Sequence, residues 1–329
     1  MNQYFCLPGT DEKLMKTTLI YNSHSGTGFS PNADEIMDML GKNGYDPIHV
    51  PTKSEGDLDR VLKEVEDLVV VAGGDGTIRA VAIRLLGRDV KIAAIPMGTA
   101  NNIARLLALQ GSPLEIVAGL ADPIQKAVDV GRVQTPDGPA YFIESMGAGA
   151  FADVLKKSNP QDGKSISRTI QSTLDTLKDY QPKFFHINLD GKDLSGSYFL
   201  IELMNTPTMG LRYKLAPDAK ADDGLLDLVL IHANQRESYL KFMAGALIGN
   251  LESLPTTSIQ RGRSLEIAWR GFPLHLDAEV VSGVRWIERY ESSAKIDASS
   301  PLDVPQPYLK IDVVPGAIKF LVPRTTTIK

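Results

Sequence analysis

The sequence predicts an α/β protein of two domains, in which a parallel-sheet domain precedes a mostly antiparallel β domain. Strands and helices alternate up to about residue 120, whereas the pattern becomes strand-rich from about Ala127. In addition, three predicted strands of the first part each run into a turn of small residues that is followed by a helix. At 329 residues the chain is long enough to form both domains with a core in each.

Composition and charge exclude several classes of protein. The chain is 43% hydrophobic and 23% charged, and its net charge of -5 argues against a nucleic-acid partner bound through a basic surface. The single cysteine, Cys6, excludes an intrachain disulfide and favours a reducing compartment. We find no apolar run of about 20 residues and no signal-peptide pattern in residues 1–15, so we expect a cytoplasmic protein.

One of the three turns, Gly73–Thr77, contains most of the residues that are candidates for phosphate or metal binding. It lies between Leu68–Ala72, which has the pattern of a strand buried on both faces, and the helical spacing of Ile78–Leu85. Its glycines allow positive φ angles and a close approach of backbone amides to an anion. Asp75 can hold a metal ion or accept a proton, although a tight turn with a hydrogen-bonding aspartate fits the same residues.

The other two turns follow the strands predicted at Thr17–Tyr21 and Val90–Ile95; they are Asn22–Gly28 and Pro96–Asn102. Because the carboxyl ends of parallel strands share one edge of a sheet, the three turns are expected to converge on a polyphosphate. The chain contains neither a Walker A lysine nor the GxGxxG spacing of dinucleotide-binding proteins.

The remaining elements are predicted from apolar periodicity and turn residues. Ser30 and Pro31 are expected to cap the first helix, and the third turn leads into a helix at Ile103–Leu109. Further helices are predicted at Ile166–Leu177 and Tyr239–Leu251, with capping boxes at Ser54–Asp57 and Ser112–Glu115. Further strands are predicted at Tyr45–Val50, Ala127–Val133, Ala140–Ser145, Lys183–Leu189, Ser197–Leu203, Leu225–Ile231, Leu265–Trp269, Phe272–Leu276 and Leu309–Val322, the last broken at Pro315–Gly316. Asp190–Gly191 predicts a hairpin turn.

Two acidic segments follow in the strand-rich part. Asp222, the Leu225 carbonyl and Asp227 could offer oxygen ligands to a hard cation, although a turn that starts a strand explains them equally. Asp277 and Glu279 follow an alternating strand, where acidic residues are usually just exposed. If Glu279 faces the three turns, it becomes a candidate general base.

The three turns resemble, in order and spacing, those of the diacylglycerol kinase catalytic domain. Their residues are Asn22-Ser23-His24-Ser25-Gly26, Gly73-Gly74-Asp75-Gly76-Thr77 and Pro96–Asn102. Asp222–Asp227 and Asp277–Glu279 fall where the bacterial members of this family carry their metal-binding and acidic motifs. NAD kinases and phosphofructokinases share a version of the Gly-Gly-Asp-Gly-Thr turn, so the Pro-x-Gly-Thr-x-Asn turn is the specific part of the match. The chain resembles the soluble bacterial diacylglycerol/sphingosine-type lipid kinases over nearly its full length.

The resemblance implies a Rossmann-like, three-layer α/β domain of the NAD-kinase/diacylglycerol-kinase type, followed by an antiparallel β-sandwich domain. Residues 1–16 would be a leader, 17–130 the nucleotide-binding domain and 131–310 the lipid or substrate domain. Residues 311–329 would return to the first domain. The active site would lie in the cleft between the two domains.

The resemblance also implies roles for single residues. Asp75 would position Mg²⁺ and ATP, and Glu279 would deprotonate the lipid hydroxyl. A structural Mg²⁺ would be bound by Asp222, Leu225 and Asp227. ATP would be held by Asn22, Ser23, His24, Ser25, Gly26, Thr52, Gly73, Gly74, Gly76, Thr77, Gly98, Thr99 and Asn101.

Several residues depart from the usual pattern of the family. Ser23 replaces a proline, and Ala278 replaces a glycine. Arg79 and Ala80 stand where an Asn–Glu pair is usual, and we expect Arg79 on the helix surface rather than at a phosphate. Asn102 replaces the aspartate that usually ends the third turn, which removes a carboxylate near the site.

The leading hypothesis is therefore an ATP- and Mg²⁺-dependent lipid kinase that acts on diacylglycerol, a sphingosine-like lipid or a related hydroxyl. Such an enzyme would contact the membrane surface transiently during turnover, and a homodimer is compatible with it. One alternative is a kinase of a soluble hydroxyl such as that of NAD. The other is a nucleotide- or lipid-binding regulator without turnover. This alternative is suggested by the departures from the usual pattern at Asn102, Arg79 and Ala80.

Overall fold

The computed structural model describes residues 14–22, 30–52, 55–135, 138–157, 180–209, 214–235, 237–238, 241, 258–269, 272–277, 279–281 and 308–324. The helix predicted at Ile166–Leu177 lies outside these residues, as do most of the helix predicted at Tyr239–Leu251 and Ser54 of the first capping box. In these ranges no helix is long and apolar enough to cross a bilayer.

The first part of the chain alternates strands and helices as predicted. The elements are β1 Met15–Tyr21, α1 Ala33–Lys42, β2 Tyr45–His49, α2 Glu55–Val61, β3 Leu68–Gly73, α3 Asp75–Arg84, β4 Lys91–Pro96, α4 Asn102–Leu106 and α5 Pro113–Gly119. β1 pairs in parallel with β2 and β3, and β3 pairs in parallel with β4. Every residue of β3 is buried, because its β-branched side chains pack against apolar clusters on both faces of the sheet.

The first helix begins later than predicted. Its N-cap is Asn32, whose side chain accepts a hydrogen bond from the Glu35 amide, while the Glu35 carboxylate accepts one from the Asn32 amide. This reciprocal pair satisfies two otherwise unpaired amides, so the cap predicted at Ser30 and Pro31 is wrong. The capping box of Ser112 and Glu115 is confirmed at the start of α5.

The second part is rich in strands. The elements are β5 Pro123–Thr135, β6 Gly138–Phe142, β7 Ser145–Gly149, α6 Ala150–Lys157, β8 Lys183–Phe185, β9 Ile187–Leu189, β10 Lys192–Asp193, β11 Gly196–Met204, β12 Leu226–His232, a 3-10 helix at Ala233–Gln235, β13 Ser258–Gly262, β14 Ser264–Ala268, β15 Leu274–Leu276, β16 Glu279–Val281 and β17 Tyr308–Pro323. β13, β12, β11, β7, β15 and β16 form one antiparallel sheet in that order. The hairpin turn predicted at Asp190–Gly191 joins β9 to β10, with φ angles of 49° and 86°.

One predicted strand is interrupted where the two domains meet. The strand expected at Ala140–Ser145 is two strands, because β6 ends at Phe142 and β7 starts at Ser145. Ile143 and Glu144 lie between them, and their backbone amides bind a side chain instead of a neighbouring strand.

The last strand joins the two parts of the molecule. β17 pairs antiparallel with β5 and β14, and in parallel with β4 at Phe320 and Ile92. Pro315–Gly316 does not end this strand; it lies at a register shift between Val314 and Ile318. The parallel sheet therefore continues through β17 into antiparallel strands, in the order β10-β9-β14-β17-β4-β3-β1-β2.

A buried aspartate fixes the bend in β17. Asp129 of β5 is 2% exposed, and its two carboxylate oxygens accept hydrogen bonds of 2.7 Å from the amides of Gly316 and Gly224. One carboxylate thus connects β5 to β17 and to the turn that precedes β12. Buried amides at such bends need a partner, because leaving them unpaired is costly.

We expect Asp129→Ala to lower the free energy of unfolding by about 3 kcal/mol, because two buried amides lose their acceptor. Urea denaturation of the two proteins measures the difference. Asp46→Ala, on the exposed face of β2, is the control and should change stability little. Equal effects of the two substitutions would contradict the role of Asp129.

Candidate active site

Asn22 and the second and third predicted turns lie at the carboxyl edge of the parallel sheet. Asn22 follows β1, Thr52 lies beyond β2, Gly73–Thr77 leads from β3 into α3, and Gly98–Asn101 joins β4 to α4. The Asn22 side-chain amide donates to Thr77 Oγ1 at 2.9 Å, which connects the first turn to the second. Ser23, His24, Ser25 and Gly26 lie outside the described residues, so their predicted contact with ATP stays a prediction.

Two glycines of the second and third turns allow neighbouring atoms to approach too closely for a larger residue to fit. None of the four glycines, Gly73, Gly74, Gly76 and Gly98, has a positive φ angle, so their conformational freedom is not what the turns require. A methyl group built on Gly98 would lie 2.7 Å from Gly74 Cα, and one built on Gly73 would lie 2.8 Å from Thr77 Cβ. The left-handed residue is Asn101, with φ of 52°, whose Oδ1 accepts from the Gly98 amide at 2.9 Å.

Asp75 is the first residue of α3 and connects the second turn to the third. Its Oδ1 accepts a hydrogen bond of 2.9 Å from the amide of Ile103, in the first turn of α4. The side chain is half-buried at the sheet edge, where the amide ends of two helices meet. A carboxylate in this position holds the two turns together while staying close to the place where phosphates are expected.

Arg79 lies one helical turn after Asp75 and bridges the two domains. Its Nε is 2.6 Å from Asp277 Oδ2, and its Nη1 is 2.7 Å from Glu279 Oε1. The Arg79 side chain is only 14% exposed, so its predicted place on the helix surface is wrong. Residues four apart share a helix face, and this spacing could have indicated that Arg79 faces the same cleft as Asp75.

Asp277 is held from several directions. Its Oδ1 accepts from the amides of Glu144 at 2.7 Å, Ser145 at 3.1 Å and Ile143 at 3.2 Å. Its own amide donates to the Ser145 carbonyl at 2.7 Å, and its φ of 55° is in the left-handed region. Burial raises the pKa of Asp277, while the Arg79 guanidinium and the three amides act in the opposite direction.

A buried histidine supports Asp277 from beneath. His275 Nδ1 lies 2.8 Å from the Asp277 carbonyl, and Nε2 lies 2.8 Å from Glu202 Oε1. Because a carbonyl only accepts, Nδ1 carries a proton. Burial, the largest single influence, lowers the pKa of His275, but Glu202 and Asp277 together outweigh it and the pKa is raised. Neighbouring Gly147 makes room for Glu202, since a methyl group there would lie 2.3 Å from Glu202 Oε1.

Glu144 is the fourth acidic side chain in this cleft, after Asp75, Asp277 and Glu279, and the sequence pattern did not indicate it. Its Oε2 accepts from Asn102 Nδ2 at 2.7 Å, and Arg105 donates to Oδ1 of the same Asn102. Burial raises the pKa of Glu144 to about 8, with smaller contributions from the nearby Asp277 and Asp75 carboxylates. Asn102 and Arg105 act in the opposite direction.

The residues predicted to bind a structural cation lie around the turn before β12. Asp222 is exposed, Leu225 is half-buried, and Asp227 is buried with its Oδ1 2.7 Å from Arg261 Nε. Asp227 Oδ2 is buried and has no hydrogen-bond partner among the described residues. The magnesium site stays a prediction. Asp227 Oδ2 is the atom that would be available as a ligand for the cation.

Known proteins match the chain in both domains. Residues 16–133 match the diacylglycerol kinase catalytic domain. The chain therefore carries a diacylglycerol kinase-type catalytic domain. Residues 145–294 match the YegS C-terminal NAD kinase beta sandwich-like domain, which agrees with the antiparallel sheet of the second part.

Among curated relatives, the diacylglycerol kinase of Bacillus subtilis is 29% identical over 250 residues, which are 72% of this chain and 80% of the relative. The diacylglycerol kinase of Staphylococcus carnosus is 27% identical over 274 residues, which are 80% of this chain and 88% of the relative. A crystal structure of a diacylglycerol kinase from Bacillus anthracis has a TM-score of 0.68 at 21% identity and covers 96% of this chain and 99% of its own.

The match to this catalytic domain and the curated relatives named diacylglycerol kinase identify the chain as a kinase-type phosphotransferase. The expected α/β domain with a following β-sandwich-type domain is confirmed, while the exact domain boundaries stay a prediction. Sequence reasoning missed Arg79, Glu144 and the His275–Glu202 pair, because each acts through a partner that is distant along the chain.

The raised pKa of Glu144 predicts a pH-dependent stability. An unfolded glutamate has a pKa of about 4.3, so between that value and about 8 the folded protein holds a proton that the unfolded chain has lost. Stability should therefore fall as pH rises through this window, by at most about 1.4 kcal/mol per pH unit from this group.

Glu144→Gln should remove the contribution of this group to the decrease in stability with pH. The stability of the variant relative to the unmodified protein should therefore improve from pH 5 towards pH 8. Urea denaturation at several pH values measures the change. Glu66→Gln, at an exposed residue paired with Lys16, is the control. Parallel pH curves for the Glu144 variant and the unmodified protein would contradict the prediction.

Proposed function

We propose that this protein transfers the γ-phosphoryl group of ATP to a hydroxyl group of a lipid. The observation that carries the proposal is the Arg79 bridge, which brings the phosphate-binding edge of the first domain against the acidic pair Asp277 and Glu279 of the second. A kinase needs a phosphate cradle and an acceptor-activating group on opposite sides of one cleft, and this contact brings both together.

The nucleotide would lie along the carboxyl edge of β1–β4. The turns at Gly73–Thr77 and Gly98–Asn101 pack closely there, and α3 directs its amino end towards the same edge. Without a Walker lysine, backbone amides and a cation must balance most of the phosphate charge. Asp75 would hold that Mg²⁺, because carboxylate oxygens are its preferred ligands. When bound, Mg²⁺ would neutralise charge on the transferred group.

Glu279 would serve as the general base. Its side chain is 62% exposed at the start of β16, while Arg79 holds Oε1. The acceptor oxygen would attack the γ-phosphorus, the bond from that phosphorus to the β–γ bridging oxygen would break, and the hydroxyl proton would pass to Glu279. The ion pair with Arg79 keeps the carboxylate directed into the cleft until the acceptor arrives.

A cavity that begins at Asn102 is suited to an amphiphilic acceptor. It has a volume of about 670 Å³ and extends from Asn102 between α4, β5 and the segment after β11. Leu106, Val128 and Ala221 contribute apolar surface, while Arg105 and Lys126 contribute cations. Its volume is within the range of about 300–1,000 Å³ that is typical of small-molecule sites. We place the lipid head group and the adjoining chain in this cavity.

Asp75→Asn should reduce phosphoryl transfer by at least about 10²-fold without unfolding the protein, because it removes the charge that organises the phosphates. Labelled ATP is assayed with a total lipid extract in vesicles and, separately, with NAD, and the labelled product is identified by its mass. Asp46→Asn on β2 is the matched surface control.

Full activity of the Asp75 variant would contradict the mechanism. Transfer to NAD but not to lipid by the unmodified protein would favour the soluble-substrate alternative. ATP binding without transfer to any acceptor would favour a regulator and would overturn the proposed function.

Glu279→Gln should lower kcat by about 10²- to 10⁴-fold and change the KM for ATP little, because a general base acts only in the chemical step. Steady-state kinetics with the lipid identified above measure both constants. Glu266→Gln, on an exposed position of β14, is the control. An equal loss in ATP affinity and turnover would assign Glu279 to binding instead.

A further inference from the structure

Glu144 occupies a special position in the cleft between the domains. It belongs to the two-residue gap between β6 and β7, and its backbone amide binds Asp277 at 2.7 Å. Its side chain extends in the other direction and meets Asn102, the first residue of α4. One residue therefore contacts the acidic pair of the β domain through its backbone and the third turn of the nucleotide domain through its carboxylate.

The orientation of the Asn102 amide is determined by its neighbours. Arg105 only donates hydrogen bonds, and it donates to Asn102 Oδ1. The Nδ2 group therefore faces Glu144, to whose Oε2 it donates at 2.7 Å. Position 102 thus provides a hydrogen-bond donor, and the acidic partner of this contact comes from the other domain.

We propose that Glu144 supplies from the β domain the carboxylate that the third turn lacks at position 102, and that Asn102 is its matched partner. The proposal rests on the proposed kinase function and adds a residue to it. The next residue after Asn102, Ile103, donates its amide to Asp75 at 2.9 Å. Glu144 accordingly acts as a positioning residue for the start of α4, and above its pKa of about 8 it also adds negative charge close to Asp75.

Substitutions at positions 144 and 102 separate the effect of the Glu144 charge from the effect of its hydrogen bond with Asn102. Glu144→Gln keeps an oxygen acceptor for Asn102 but removes the charge. Asn102→Asp combined with Glu144→Gln returns one carboxylate and one amide to the pair, with their positions exchanged. Asn102→Asp alone places two carboxylates where one hydrogen bond of 2.7 Å now lies.

In the kinase assay at pH 9, where the Glu144 carboxylate is charged, Glu144→Gln should lower kcat by about tenfold or more and change the KM for ATP by less than about threefold. The exchanged double variant should recover most of the lost kcat, which a merely structural role for either residue would not produce. Glu266→Gln serves as the activity control. Full activity of Glu144→Gln, or a double variant no better than Glu144→Gln, would overturn the proposal.

A second measurement needs no turnover. At pH 9, in ligand-free protein, Asn102→Asp should lower the unfolding temperature, and adding Glu144→Gln should restore it, because only the single variant opposes two carboxylates. Additive effects would show that the pair does not interact and would overturn the proposal. If the unmodified protein phosphorylates no lipid while the unfolding temperatures are non-additive, the proposed function fails and the pairing stands.

Discussion

The carboxylate of Asp277 is the group on which the junction of the two domains depends. It accepts amides from the segment that links β6 to β7 and meets the guanidinium of Arg79 from α3. A buried carboxylate is tolerated only when its oxygens have hydrogen-bond or ionic partners. Each of these amides and the guanidinium is therefore needed in its present position. The left-handed backbone conformation of Asp277 is unfavourable for a residue other than glycine, and these contacts offset that free-energy cost.

Around this group, polar side chains connect the inside of the β domain to the cleft. Glu202 and His275 are fully buried, and His275 contacts the Asp277 carbonyl. Arg79 then joins Asp277 to the exposed Glu279. Because buried hydrogen-bonded networks allow few alternative arrangements, the position of Glu279 is supported from the core outwards.

Much of the first domain could be predicted from the sequence because its signals are local. β-branched runs predicted β1, β3 and β4, and the small-residue turns after β3 and β4 do share one edge. Even the cap that was misplaced has a readable signal, since Asn32 is followed three residues later by Glu35, whereas Ser30 is not followed by such a residue.

The cleft could be predicted only in part because its contacts join distant residues. Apolar Ala140–Ser145 has the pattern of one strand, and only the folded position of Asp277 explains why amides 143 and 144 turn away from the sheet. Arg79 was expected at the surface because its partners are about 200 residues away along the chain. Glu144 likewise acquires a role only when α4 is placed beside it.

The path of β17 has a consequence for how the protein folds. Ile318, Phe320 and Val322 of this strand complete the same core as Val69 and Ile92, which are synthesised more than two hundred residues earlier. Until β17 arrives, β4 presents an open strand edge and the amino-terminal half lacks part of its interior. Such long-range closure slows folding and lengthens the time during which the nascent chain is prone to aggregation.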